Sequence, residues 1–425
     1  MGLATLFAVI LLATATFALQ LPLYTDRYGG FYYSQVTIGN QTLKLFVDTG
    51  SPETWVIYNG TICRDSRSLA LSRTRCSMLF GEPYVPSPTF EWYSGSDNET
   101  FFRYADNDYV EGTYAYDDIV VGGLVLARAP FVVATETAAL PVWPASGLLG
   151  LGMDPRNRGS VNSLRGVNRQ SQVAASDVLL HRPKNVVAAN KQATVHNGTL
   201  ITSLFNNTSL SASFGLALSR PSNITSLPAG LLTIGESADL GNRLVNATEP
   251  YVTVPLEPIR TASDPTTPSI VNYSCNVTGL VFGRDSNSFE GYRFSEEYVT
   301  TAIDSGTTLN YVSDVHAALI ASRFDPPAYQ FQGFWVVDCE AKPPDVGLVI
   351  GGEPFYLHPL DMVAELATRN RSTVCVSAFQ PAADFGVVLG MPFLRSTYVE
   401  TFRPEFVGPE AGTMWIAARE HYAAF

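Results

Sequence analysis

Lysine is almost absent from this 425-residue chain; Lys44, Lys184, Lys191 and Lys342 are the only four. With 39 acidic residues against 27 basic ones, the formal charge is −12 at pH 7. Such a surface argues against a nucleic-acid backbone or an anionic membrane as partner. Histidine is also sparse: His181, His196, His316, His358 and His421 are scattered, with no HExxH pair. There is no CxxC, so a zinc or redox motif is unsupported. Neither G-x-S-x-G nor a Gly-Lys dipeptide occurs, which removes serine-hydrolase and nucleotide readings. No metal or other cofactor is expected.

What the chain does contain points to strands. Hydrophobic residues make up 46% and charged ones only 16%, enough to bury a large core divided between two lobes. The 33 Gly and 27 Pro, with 20 Tyr and 24 Phe, describe strands and turns and disfavour a helical bundle. Segments 31–39, 43–50, 112–126 and 129–135 alternate or run apolar between Gly-rich turns, as antiparallel strands do. Helical patterns are few, and 314–324 and 360–369 are the clearest. Segment 154–199 loses the alternation and reads as an exposed, basic insertion.

The N-terminus, MGLATLFAVILLATATFALQ, resembles a secretory signal peptide, with Ala15 or Ala18 as the last residue before cleavage. Residues 1–18 are assigned to it. Eleven Asn-x-Ser/Thr sequons (Asn40, Asn59, Asn98, Asn197, Asn206, Asn207, Asn223, Asn246, Asn272, Asn276 and Asn370) fit an exported glycoprotein. The last residues carry no apolar tail for a lipid anchor, so a soluble product is expected. Of the five cysteines, local pairing joins Cys63 to Cys76 and Cys339 to Cys375, leaving Cys275 as a buried thiol in a strand-like segment.

The most informative feature is an internal repeat. LFVDTGSPETWV (45–56) recurs as TAIDSGTTLNYV (301–312), and Leu148, Leu149 and Gly150 recur as Val388, Leu389 and Gly390. Two related β lobes facing each other across a cleft follow. Each Asp-Thr/Ser-Gly-Ser/Thr turn delivers a carboxylate to a site where backbone N–H groups and hydroxyls approach it. If the lobes are related by a twofold axis, Asp48 and Asp304 meet there, and one proton is shared between them. Such a pair can hold a water, deprotonate it for attack on a carbonyl and protonate the departing amine.

From about Leu21 to Ala417 the sequence resembles the pepsin-like aspartic proteases, in the pattern of secreted fungal acid proteases. The anchors are DTGS (48–51), DSGTT (304–308), Trp55, GLLGLG (147–152) and VVLGMPFLRSTYV (387–399). The resemblance implies an all-β, two-lobed fold with each lobe a distorted barrel. The lobes are expected at 19–212 and 213–425. It also implies catalysis by Asp48 and Asp304, with Thr49, Gly50, Ser51, Ser305, Gly306 and Thr307 supporting the dyad. Tyr104 is implied as the tyrosine of a flap over the substrate, near Trp55, with Tyr109 and Tyr114 as rivals. Phe46 and Tyr311 either line pockets or only pack. The implied function is a secreted, acid-active endopeptidase working as a monomer on extended polypeptides, extracellular or else vacuolar. A pepsin-like glycoprotein that binds without cleaving is the alternative. Ala105 and Ser146 depart from the family pattern, which has Gly and often Asp there. The interval between residue 18 and the first strand leaves no room for a basic pro-segment, so the enzyme is expected to emerge already open.

Overall fold

A computed structural model of the protein describes residues 18–25, 29–65, 67–95, 98–104, 108–138, 144–152, 199–220, 227–235, 250–261, 264–269, 273–284, 289–293, 298–367, 373–382, 386–402 and 412–419. Residues 1–17 of the signal-like segment, Ala105 and nearly all of the 154–199 insertion lie outside these residues.

The N-terminal half forms a closed barrel because its strands alternate in polarity and bury one face. Around it run Tyr32–Ile38, Gln41–Asp48, Gly147–Gly150, Trp55–Arg64, Leu124–Ala138 and Tyr109–Val121. Pairing of Thr37 with Val120 and of Ile38 with Ile119 closes the ring. Gly122 and Gly123, both at positive φ, make the tight turn between the two longest strands. The C-terminal half builds an eight-stranded sheet around Ser274–Phe282 and a four-stranded sheet at its side. A six-stranded antiparallel sheet joins the halves, in the order Tyr251–Pro255, Thr413–Ala418, Thr397–Phe402, Ser213–Leu218, Gly230–Ile234 and Leu19–Thr25. In Leu19–Thr25 the alternation LQLPLYT buries Leu19, Leu21 and Leu23 while Gln20 and Pro22 face out. The chain is thus all-β and two-lobed, as the repeat requires.

One continuous apolar core runs from Val36, Leu45 and Phe131 in the barrel through Leu216 and Leu232 to Leu280, Leu348 and Phe393. Each such side chain contributes about 1.5–3 kcal/mol on burial. Both local disulfides are present, Cys63–Cys76 and Cys339–Cys375, while Cys275 is free and buried in Ser274–Phe282. Among the described residues no helix is long and apolar enough to cross a membrane.

Helix Asp314–Ala321 falls where the sequence places it, capped by Ser313. The described part of the 360–369 segment, up to Ala367, forms no α-helix. A 3₁₀ turn over Pro359–Asp361 leads into strand Val363–Ala367, which pairs with Thr373–Ser377 beside the Cys339–Cys375 bridge. Cross-strand pairing in the four-stranded sheet overrides a weak helical periodicity.

Candidate active site

Each copy of the repeat folds into the same three-strand device. Gln41–Asp48 runs parallel to Gly147–Gly150 with Val47 opposite Leu149 and Asp48 opposite Gly150. Val299–Ile303 runs parallel to Val388–Leu389 with Ile303 opposite Leu389. In both copies the third strand is antiparallel, pairing Trp55 with Leu148 and Tyr311 with Val388. Each apolar strand is held on both edges, by Tyr32–Ile38 and Gly147–Gly150 in the first copy and by Ser274–Phe282 and Val388–Leu389 in the second, so Asp48 at the end of one strand and Asp304 just after the other project from rigid supports.

The two loops then lock together. Thr49 N–H donates to Ser305 Oγ (3.0 Å) and Ser305 N–H to Thr49 Oγ1 (2.9 Å). Thr49 Oγ1 donates to the Ile303 carbonyl (3.2 Å) and Ser305 Oγ to the Val47 carbonyl (2.9 Å). This exchange obeys an approximate twofold. Above it, Asp48 Oδ1 accepts from Gly50 N–H (2.8 Å) and Oδ2 from Ser51 Oγ (2.5 Å). Asp304 repeats the pattern with Gly306 N–H (2.8 Å) and Thr307 Oγ1 (2.6 Å).

The glycines are required by the closeness of the two carboxylates. A Cβ on Gly50 would lie 2.7 Å from Asp304 Oδ1, and one on Gly306 would lie 2.5 Å from Asp48 Oδ1. Each loop therefore offers its side-chain-free residue to the carboxylate of the other. Burial raises the Asp48 pKa well above the ordinary carboxylate range, and the neighbouring negative charge of Asp304 raises it further. The hydrogen bonds from Ser51 and Gly50 oppose that rise without cancelling it. A group so placed keeps a proton that an isolated carboxyl would lose.

Hairpin Glu99–Arg103 and Tyr109–Val121 extends from the barrel with Arg103 opposite Tyr109. Tyr104 sits between its strands, with its N–H on the Asp108 carbonyl (2.8 Å). Trp55 is fully buried, packs edge-on against Phe80, and donates from Nε1 to the Tyr104 hydroxyl (2.7 Å). The rivals are engaged elsewhere: Tyr109 with Glu136 and Tyr114 with Glu53. Phe46 packs edge-on with Phe31 in the same aromatic cluster as Trp55, and Tyr311 lies against Leu309, Val336 and Val376. Ser146 is buried, its N–H on the Lys44 carbonyl and its own carbonyl receiving Ile57 N–H.

Other contacts around the site have no motif of their own. Tyr273 donates to the Leu151 carbonyl (2.6 Å) and Thr308 to the Gly30 carbonyl (3.3 Å), each crossing between the lobes. Asp361 is clamped by Arg220 and Arg395, and Arg395 also donates to the Gly29 carbonyl. Thr308 lies within the repeated segment 301–312 and Arg395 within the 387–399 motif, but the carbonyls they reach are 278 and 366 residues away in sequence.

Two β lobes, with a pair of carboxylates on twofold-related loops between them, describe a pepsin-like aspartic protease. Comparison with known proteins agrees. Residues 31–201 and 268–403 match the eukaryotic aspartyl protease family, and the chain belongs to that family. A "Probable aspartic-type endopeptidase" of Aspergillus fumigatus is 28% identical over 373 residues, covering 86% of this chain and 74% of the relative. Aspartic proteinase MKC7 of Saccharomyces cerevisiae is 22% identical over 365 residues, or 84% of this chain and 53% of that protein. Rhizopuspepsin-2 of Rhizopus niveus is 29% identical over 182 residues, 42% of this chain and 41% of its own.

Proposed function

We propose that the protein is an exported endopeptidase that cleaves polypeptides in acid, with Asp48 and Asp304 as the catalytic dyad. The observation that carries this reading is the reciprocal seating of each carboxylate over the other loop's glycine. In the active form the pair holds one proton. The ionised member takes a proton from a water molecule lying between them, the resulting hydroxide equivalent attacks the scissile carbonyl, and the protonated member stabilises the tetrahedral oxygen. Collapse of that intermediate delivers a proton to the departing amine, and the dyad returns to its one-proton state. Ser51 and Thr307 hold the outer oxygens, while Thr49 and Ser305 hold the loops in register. Tyr104, tied to Trp55, covers an extended substrate from the hairpin.

The lobes divide at Ala212, before strand Ser213–Leu218 enters the joining sheet. Residues 1–18 act as the export signal, and the first residue beyond them opens a buried strand. Exposed Asn40, Asn59, Asn206 and Asn207 are the glycan acceptors we expect among the described sequons. Asn276, half-buried with its Oδ1 accepting from Thr300 (2.8 Å), stays bare.

Hydrolysis of unfolded casein or haemoglobin at pH 3–5 tests the assignment. Asp48→Asn and Asp304→Asn should each lower kcat by roughly 10³-fold or more. A statine-type inhibitor should bind the wild type in acid, because such a mimic needs the shared proton. Cleavage that survives both substitutions would overturn the reading.

A further inference from the structure

The hairpin that carries Tyr104 is tied to the barrel by a second set of contacts besides the one to Trp55. Tyr109 is the first residue of the returning strand and donates to Glu136 Oε1 (2.6 Å). Arg64 grips the same carboxylate, with Nη2 on Oε2 (2.6 Å) and Nε on Oε1 (2.6 Å). The Arg64 Nη1 donates to the Ser68 carbonyl (3.1 Å), and its neighbour Cys63 is bridged to Cys76. The Tyr109 ring stacks on Phe101 of the outgoing strand, centroids 5.4 Å apart, so both strands of the hairpin feel the tie. The ladder between Tyr109–Val121 and Leu124–Ala138 is broken by a register shift between Glu111 and Gly112. Beyond that shift only the pairs up to Tyr109–Ala138 join the hairpin's end to the body, which is where a side-chain anchor has most leverage.

We propose that Tyr109, Glu136 and Arg64 act as a latch that positions the hairpin bearing Tyr104 above the dyad, with the Glu136 charge as its fastening. This rests on the proposed protease reading for its kinetic consequence. The titratable and charged groups facing Glu136 are Arg64, Tyr109 and, across the ladder, Glu111. The pairing with Arg64 and the hydrogen bond from Tyr109 hold the Glu136 carboxyl below its ordinary range despite partial burial. A carboxyl depressed in the latched state stabilises that state above its free pKa. The stabilisation is lost as pH falls through the depressed value. The latch is therefore fast in weak acid and slack in strong acid, opposite in sense to the dyad, which needs acid to keep its proton.

Three variants, Tyr109→Phe, Glu136→Gln and the double, test the latch by steady-state kinetics between pH 2.5 and 6 and by hydrogen exchange of amides 99–104 and 109–113. In weak acid each single variant should raise KM about tenfold with a smaller change in kcat, as expected for loss of one charge-assisted hydrogen bond. The double variant should be no worse than the worse single one. Hairpin exchange should quicken in both singles. In the wild type the protection factors should drop as pH falls, and in Glu136→Gln they should no longer depend on pH. Unchanged exchange in Tyr109→Phe, whose fold is secured by thermal unfolding, would overturn the latch, as would KM effects that multiply. The exchange measurement needs no turnover, so absence of hydrolysis in every variant would count against the protease reading and leave the latch decided on its own.

Discussion

Thr49 and Ser305 each satisfy a backbone N–H of the opposite loop and donate to a carbonyl there, so four buried groups depend on two hydroxyls. Ser305→Ala strands the Thr49 N–H and the Val47 carbonyl, and should cost about 1–3 kcal/mol in urea unfolding. Thr49→Val should cost as much, while the double variant should cost clearly less than the sum, because both remove one network. Additive losses would mean that the loops are held by other means. At this scale the sequence is eloquent about the dyad loops, because the hydroxyls and glycines lie within three residues of the Asp they serve. It is silent about Tyr273, Thr308 and Glu136, whose partners are brought in by the fold from distant strands.

The strands carry the legible part of the fold. The register of Asp48 against Gly150 is the register in which the repeat aligns 148–150 with 388–390, since both copies need glycine where a loop crosses the strand end. In 360–369 packing outvotes periodicity, and helix Met391–Ser396 comes from an apolar motif that reads equally well as strand. How elements are fastened to each other is likewise unreadable in advance. The Asp117 carboxylate in Tyr109–Val121 is fully buried with no cation bonded to it among the described residues, accepting from Tyr84 (2.6 Å), Ser87 (2.7 Å), Thr89 (2.6 Å) and the Asp118 N–H (2.8 Å). Burial alone would raise its pKa, but the hydroxyl donors outweigh burial and bring it below the ordinary value. Asp117→Asn should therefore lower stability by roughly 2–3 kcal/mol near pH 6, where the carboxylate is fully charged. The deficit should shrink as pH falls through the depressed pKa and wild-type Asp117 takes up its proton. Urea midpoints at pH 6 and pH 2.5 check it, and a deficit independent of pH would place the cost in packing instead.

On the scale of the whole molecule the dyad is a liability that the fold carries in order to hold a shared proton. Two lobes with a common core press two acids together at their junction, and the unfolded chain has no such conflict. With Asp48 raised in the folded state, this group binds more protons in the native than in the unfolded protein once pH exceeds about 4, so its contribution to stability falls as pH rises from there. The sense is opposite to that of Asp117 and Glu136, whose depressed pKa values favour the fold at higher pH. Replacing Asp48 by the neutral isostere Asn should remove the penalty while abolishing hydrolysis. The Asp48→Asn protein should be more stable than the wild type at pH 7, by on the order of 2 kcal/mol, and the two should converge below about pH 4, where both side chains are neutral. Under the proposed function the pair loses its shared proton near neutral pH, so brief exposure to pH 7 followed by return to acid should restore hydrolysis while the lobes stay folded. Thermal unfolding of both proteins from pH 3 to pH 7, with activity recovered after the pH 7 step, measures both consequences. A wild type that matches or exceeds Asp48→Asn at pH 7 would show that the pair is not in conflict, and the one-proton dyad would lose its physical basis.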